Sequence, residues 1–328
     1  MPSLLLCWPG GAASLKNDSD GTVLEAAIAA GIPIAHSCKR GNCRQCQARV
    51  VETSDPAYRT GEIVTLCRVP GSIAAKFELD DNPFEFRPAA RLFPAKVAHV
   101  TEVAENIVRL SLVIPPQQKL EFYGGQYAAL ILKDGLQRAY SISDFDPDTR
   151  RIDFFIKRVE GGAFAGWLKT AAAPGVMLQV RAPMGFFRLR PLRADTTWFI
   201  GTGTGVVPLL AMLQRADSGF LEMLGRIRLL WGNRLPNDAF LRAEIEQLVA
   251  RLGIDFQMVF SRDVGQGARR VTDVLAQETF SDDVLYAAGH PDMIRDVHDI
   301  CAARGFKSKR IFSDAFAFSS RELATESV

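Results

Sequence analysis

CKRGNCRQC, residues 38–46, decides how this chain is read. It sets Cys38, Cys43 and Cys46 in a C-x4-C-x2-C spacing, and Cys67 follows after an interval of 20 residues. Three close thiols with one distant partner are the ligand spacing of a plant-type [2Fe–2S] cluster, in which one tight loop wraps three thiolates around the irons and a later strand supplies the fourth. Gly41 suits such a loop, because backbone that passes close to a small cluster needs a residue without a Cβ. A structural zinc site is the competing reading, but zinc favours two separated C-x2-C pairs, and here Cys43 and Cys46 alone have that form. The spacing therefore points to a chain that carries electrons.

The rest of the composition narrows the class. With 328 residues there is room for two or three domains. The 39 basic residues nearly balance the 37 acidic ones, which argues against a nucleic-acid binder. Cys7 and Cys301 stand outside the quartet, and six cysteines in so long a chain do not make a disulfide scaffold, so a reducing compartment is expected. Residues 1–8 lack a basic n-region and a signal-length apolar core. No apolar run approaches the roughly 18 residues of a membrane span. These features together predict a cytoplasmic protein with neither nucleic acid nor membrane as its partner.

Three rhythms of sequence divide the chain. Residues 1–80 read as a small α+β unit, with an amphipathic helix expected over 22–30 (TVLEAAIAA), closed by Gly31, and a strand over 47–52. Residues 81–94, rich in proline and charge, read as a linker. Over 95–192 short strands are expected at 95–100, 107–114, 126–132, 139–143, 152–157 and 177–181, separated by proline and glycine turns, a spacing that favours an antiparallel barrel. Over 193–328 the apolar strands TWFIG, IRLLWG, DFQMVFS and DVLYAAG alternate with helical stretches, which predicts βα units around a parallel sheet.

Arg138-Ala139-Tyr140-Ser141 resembles the R-x-Y-S flavin strand of the ferredoxin–NADP reductase superfamily. That resemblance implies that Arg138 neutralises a flavin pyrophosphate, that Tyr140 stacks on the isoalloxazine and that Ser141 hydrogen-bonds near N5. The chemistry is reasonable, since a guanidinium fork suits phosphate oxygens and strand alternation puts residues 138 and 140 on one face. Gly161-Gly162-Ala163-Phe164-Ala165 is similar to the family's Gly-Gly-x-x-Ser turn at a helix start, with Ala165 in place of serine. Residues 182–187, APMGFF, resemble the turn that closes the family's flavin barrel through Gly185, with Ala182 in place of its first glycine.

Gly201-Thr202-Gly203-Thr204-Gly205, followed by Pro208, comes after an apolar strand and opens a helix, a junction where glycines let backbone reach a pyrophosphate. Its G-T-G-T-G spacing resembles the same family's nicotinamide domain. Residues 286–293, YAAGHPDM, resemble that domain's C-G-x-P-x-M element through Gly289 and Met293, with Ala288 replacing a cysteine. The family likeness adds Lys157 and Phe316 to the implied cofactor-binding set. Ser261 and Arg262, at the end of an expected strand, fit the 2′-phosphate of NADPH, with Arg269 and Arg270 nearby; the family's use of NADH keeps both coenzymes open. Cys301 is expected to be a small core residue and His290 a loop residue.

The order ferredoxin, flavin barrel, nicotinamide domain is similar to the reductase components of bacterial multicomponent oxygenases. It implies FAD, a [2Fe–2S] cluster and NADH or NADPH as cofactors, hydride accepted beside Tyr140 and Ser141, and a terminal oxygenase, above all an aromatic-ring dioxygenase, as the partner. A diiron monooxygenase or a deoxysugar-pathway dehydratase as acceptor is the alternative. Charge placement bears on the partner: residues 26–51 hold four basic residues (Lys39, Arg40, Arg44, Arg49) and no acidic one.

Overall fold

The computed structural model describes residues 4–16, 20–36, 39–41, 43–84, 90–262 and 267–316. Cys38 and residues 85–89 of the expected linker lie outside the described residues. The chain forms two compact units, Met1–Arg87 and Pro88–Val328.

The first unit is a five-stranded mixed sheet carrying one helix. Its elements are β1 (Leu4–Trp8), β2 (Gly11–Leu15), α1 (Val23–Ala29), β3 (Gln47–Thr53), β4 (Ile63–Thr65) and β5 (Ala75–Glu78), in sheet order β2-β1-β5-β3-β4. β1 runs parallel to β5, and the other pairings are antiparallel. The helix starts at Thr22, whose Oγ1 accepts from the Glu25 amide at 3.3 Å while Glu25 accepts from the Thr22 amide at 2.8 Å. Such a reciprocal cap is worth about 1 kcal/mol. Gly31, at φ +75, turns the chain just past the C-cap toward the cysteine loop. Leu4, Leu6, Val23, Leu24, Val50, Leu66 and Phe77 fill the core beneath the sheet.

The second unit begins with a seven-stranded antiparallel sheet: β6 (Arg91–Ala104), β7 (Ile107–Val113), β8 (Tyr127–Ile131), β9 (Gln137–Ser141), β10 (Asp144–Asp146), β11 (Arg151–Lys157) and β12 (Met177–Met184), with α2 (Ala163–Thr170) between the last two. The order is β10-β11-β7-β6-β12-β8-β9. β6 reaches back to Arg91, beyond the expected start at 95, because Phe93 continues the alternation of Ala95 and Val97 into the core and residues 91–96 pair with β12. Pro94 is accommodated in this strand opposite Gln179.

A parallel sheet follows in the order β15-β14-β13-β16-β17, built from β13 (Thr196–Thr202), β14 (Arg226–Asn233), β15 (Asp255–Phe260), β16 (Val284–Gly289) and β17 (Ile311–Ala315). Helices α3 (Val206–Arg215), α4 (Ser218–Met223), α5 (Arg242–Leu252), α6 (Val271–Leu275) and α7 (Pro291–Ala303) connect the strands. Residues of α3 and α5 share a core with Phe199, Leu229, Trp231 and Tyr286, while α6 and α7 pack against each other. β16 is buried along its whole length, as a central parallel strand should be. The expected classes, an α+β unit, an antiparallel barrel-like sheet and a parallel α/β domain, are the ones observed. β1, β2, β4, β5, β10, β17, α4 and α6 are additions, each too short or too weakly periodic to stand out in sequence.

The barrel and the parallel-sheet domain are locked together. The Arg190 amide donates to the Tyr286 hydroxyl at 2.8 Å, and Phe155 packs on Phe240 with ring centroids 5.2 Å apart. A Cβ at Gly124 would lie 2.3 Å from the Ala211 carbonyl oxygen, so only glycine lets the 123–125 turn abut α3.

Candidate functional site

Cys43, Cys46 and Cys67 are all buried. Cys67 sits on a single 3-10 turn, Leu66–Arg68, directly after β4, and not on a strand as the spacing suggested. The register explains its place. Gln47 pairs with Thr65, and the ladder runs one step further as the Leu66 amide donates to the Cys46 carbonyl at 2.8 Å. This sets the Cys46 and Cys67 side chains in contact. Hydrogen bonding to Cys67, then burial, pushes the Cys46 thiol above its ordinary range. Two neutral thiols can share this buried site, and both can be thiolates there only when a cation takes the place of their protons. Among the described residues, which do not include Cys38, no three ligating side chains close around a single ion. A two-iron cluster needs pairs of thiols; Cys46 with Cys67 is one, and Cys43 with Cys38 would be the other.

The loop itself is held in unusual backbone. Lys39, Gly41 and Arg44 have φ of 49°, 86° and 50°. Two of these three carry side chains, and such strain gathers where function fixes the chain. A Cβ at Gly41 would meet the Arg68 side chain at 3.0 Å, so this glycine also lets the loop close onto the Cys67 turn.

In the barrel, the structure brings the flavin-like motifs together. Tyr140 packs on Phe164 of α2, centroids 5.2 Å apart, which sets β9 beside the helix that Gly161 and Gly162 open. Burial raises the Tyr140 phenol well above its usual range, keeping it neutral. Gly162 caps α2 with no side-chain acceptor on its first amides, leaving them to an anion. Ser141 pairs with Tyr127, whose ring covers Gly185 so closely that a Cβ there would come within 2.7 Å. Arg138 shares the face of Tyr140 on β9 and donates to the Gln137 carbonyl at 2.7 Å. These residues fit a flavin with its pyrophosphate at the α2 terminus.

A cleft of about 680 Å³ opens between the barrel and the carboxyl ends of the parallel strands, the place where such sheets bind ligands. Lys157, Thr202, Gly203, Thr204, Ser261, Arg262, Gly289, Met293 and Phe316, all expected from sequence, line it. Gly201 and Gly205 do not; they serve packing. A Cβ on Gly205 would lie 2.1 Å from the Ala288 carbonyl oxygen, so this glycine lets the turn press onto β16 where the family's cysteine is replaced. Phe316 is tied to Gly289 by a 2.9 Å backbone hydrogen bond. His290 is more than a loop residue: its Nδ1 caps α7 by accepting from the Asp292 amide at 3.2 Å. Cys301 is fully buried, as expected of a core residue.

Arg234 and Asn233 of the cleft, and Trp231 just before them on β14, are among the residues that escaped the sequence reading. Arg234 follows β14 and joins Lys157, Arg262, Arg269 and Arg270 among the cleft's lining residues, which also include the acidic Glu105, Asp238, Asp292 and Asp296. Partial burial first, and then the charges of Arg234 and Arg262, pull the Lys157 ammonium below its ordinary value against an opposing pull from Asp238. Asn233, 6% exposed at the end of β14, has neither its amide nitrogen nor its oxygen in a hydrogen bond. Buried polar atoms are rarely left so, and a ligand in the cleft would satisfy them. Trp231 is fully buried and donates its indole N–H to the Gly203 carbonyl at 3.0 Å.

Comparison with known proteins finds a counterpart for each of the three domains. Residues 10–70 match the 2Fe-2S iron-sulfur cluster binding domain, residues 94–189 the oxidoreductase FAD-binding domain and residues 199–299 the oxidoreductase NAD-binding domain. The chain is 28% identical to the terephthalate 1,2-dioxygenase reductase component 1 of Comamonas sp over 91% of its own length and 93% of the relative's. It is 26% identical to the CDP-6-deoxy-L-threo-D-glycero-4-hexulose-3-dehydrase reductase of Yersinia pseudotuberculosis, over 92% and 94%. The fold is that of a cytochrome P450 reductase from Amycolatopsis, with a TM-score of 0.69 at 21% identity, covering 95% of this chain and 98% of that one. Among the described residues no helix is long and apolar enough to cross a membrane. With all three domains present in order and relatives matched end to end, the chain belongs to the ferredoxin-fused, ferredoxin–NADP reductase-like flavoproteins that include oxygenase reductase components, and is an NAD(P)H-dependent FAD and [2Fe–2S] oxidoreductase.

Proposed function

We propose that this oxidoreductase is the reductase component of a cytoplasmic multicomponent oxygenase, delivering electrons from NAD(P)H to a terminal aromatic-ring dioxygenase. The observation that carries this reading is the paired Cys46 and Cys67 in the same chain as an arginine-lined cleft at the carboxyl ends of a parallel sheet. When bound, FAD supplies the conversion of a two-electron hydride into single electrons and the cluster supplies their one-electron relay. The domain bounds we propose are 1–80 for the ferredoxin, 95–192 for the flavin barrel and 193–328 for the nicotinamide domain, with 81–94 as the linker.

Each residue has a stated task. Cys38, Cys43, Cys46 and Cys67 hold the cluster. Arg138 and the first amides of α2 neutralise the flavin phosphates, while Tyr140 and Ser141 orient the ring and no side chain needs to move a proton. Thr202, Gly203 and Thr204 cradle the coenzyme pyrophosphate, and Ser261 with Arg262 holds the far ribose.

Reconstitution tests this: the holoprotein, NAD(P)H and a ring-hydroxylating dioxygenase freed of its own reductase should hydroxylate the aromatic substrate with matching oxygen uptake. The deoxysugar relative gives the second reading its support. Turnover with a dehydratase of that type and none with any oxygenase would move the proposal to that acceptor.

A further inference from the structure

The two stretches that supply the cysteines, 26–51 and 63–77, hold six basic residues (Lys39, Arg40, Arg44, Arg49, Arg68, Lys76) and no acidic one. The remainder of residues 1–80 holds two basic and eight acidic. Folding brings part of this charge to one rim. Arg68 directly follows Cys67 in its 3-10 turn, and its stem lies against Gly41, flanked in sequence by Lys39, Arg40 and Arg44. Arg40 and Arg68 are exposed, Lys39 and Arg44 half-buried, and Cys43, Cys46 and Cys67 buried. Arg49, which donates to the Gly61 carbonyl, and Lys76, on β5, are placed apart from the loop.

Residues 88–328 hold 30 basic and 27 acidic residues, so the charge segregation is particular to the first unit's sequence. We propose that Lys39, Arg40, Arg44 and Arg68 form a docking surface for a separate protein whose electron-accepting site is framed by acidic side chains. This rests on the electron-transfer reading above. Complementary charge raises encounter rates by roughly 10–10³-fold and is screened over about 8 Å at physiological ionic strength. Compensation of the negative charge of a thiolate-ligated cluster is the competing use of the same residues; it predicts a change of potential and no dependence on the acceptor's charge.

The test uses the holoprotein with two haem acceptors of opposite charge, acidic cytochrome b5 and basic cytochrome c. Reduction of cytochrome b5 should fall about tenfold between low salt and about 0.3 M, where the Debye length shrinks to a few Å, whereas reduction of cytochrome c should hold or rise. Arg40→Glu with Arg68→Glu should slow cytochrome b5 about tenfold at low salt and flatten its salt dependence, with coenzyme-driven reduction of flavin and cluster unchanged. Lys16→Glu with Arg59→Glu, both exposed and outside the rim, is the charge-matched control and should leave the rate within twofold. Equal salt responses for the two cytochromes, or a double variant that shifts the cluster potential and leaves the cytochrome b5 salt slope intact, would overturn the docking proposal. A wild-type cluster that coenzyme does not reduce would overturn the electron-transfer reading itself, and the proposal with it.

Discussion

The indole N–H of Trp231 lies 3.0 Å from the carbonyl oxygen of Gly203, tying the end of β14 to the centre of the glycine turn that opens the coenzyme cleft. Trp231 is itself clamped edge-on to Phe240, centroids 5.7 Å apart, and Phe240 packs on Phe155 of the barrel. The glycine turn is thereby referenced to the flavin domain through three aromatic rings.

Trp231→Phe keeps most of this packing and removes the donor. The net value of one hydrogen bond, about 0.5–1.5 kcal/mol, predicts a two- to tenfold rise in coenzyme KM with kcat little changed. Steady-state kinetics checks it. Trp231→Ala should instead destabilise the domain by about 3–5 kcal/mol, which denaturant titration would register.

Asn233 makes a prediction with two signs. Its amide is buried without partners, so Asn233→Ala should leave the coenzyme-free protein equally stable or stabilise it, because an uncompensated polar group has been removed. The same variant should bind coenzyme more weakly. Thermal unfolding with and without coenzyme separates the two effects, and a variant destabilised in both states would assign Asn233 to the fold alone.

The basic residues of the cleft give a test of coenzyme choice. With Arg262 as the partner of a 2′-phosphate, Arg262→Ala should raise the KM for NADPH roughly tenfold or more and leave that for NADH nearly unchanged; equal effects on both would assign Arg262 no part in the choice. The pH response follows from the lowered Lys157. A protonated ammonium attracts the coenzyme anion, so affinity is full at neutral pH and weakens as pH rises through the Lys157 pKa, earlier than a free lysine would allow. Lys157→Met should abolish that alkaline limb of the KM profile.

Much of this arrangement was legible in the sequence, for reasons that differ by element. The cysteine spacing, the R-x-Y-S strand and the G-T-G-T-G turn are local patterns whose chemistry is set by residue type and separation. The structure adds what depends on register and long-range packing. The contact of Cys46 with Cys67 arises from the pairing of β3 with β4. The split among the glycines, with Gly203 lining the cleft and Gly205 packed on Ala288, depends on how closely the turn approaches β16. Arg234 and Asn233 looked like ordinary strand-end residues, and only the parallel order of β13, β14 and β15 turns them toward the coenzyme. β17 escaped notice because IFSDA carries neither a long apolar run nor clean alternation.

Arg138→Ala should loosen the flavin. Loss of a charge-assisted bond to a phosphate is worth about 1.5–3 kcal/mol, so flavin occupancy after dialysis should drop, with the cluster spectrum unchanged. Unaltered occupancy would count against the role given to β9.

The central claim is that coenzyme electrons reach a two-iron cluster held by Cys38, Cys43, Cys46 and Cys67, and low-temperature electron paramagnetic resonance with metal analysis tests it most directly. Wild-type protein treated anaerobically with NADPH or NADH should contain about two irons per chain and give the rhombic signal of a reduced [2Fe–2S] centre. Cys67→Ser should lose that signal while its flavin still bleaches on coenzyme addition. Zinc in place of iron, or an undiminished cluster signal in Cys67→Ser, would contradict the account.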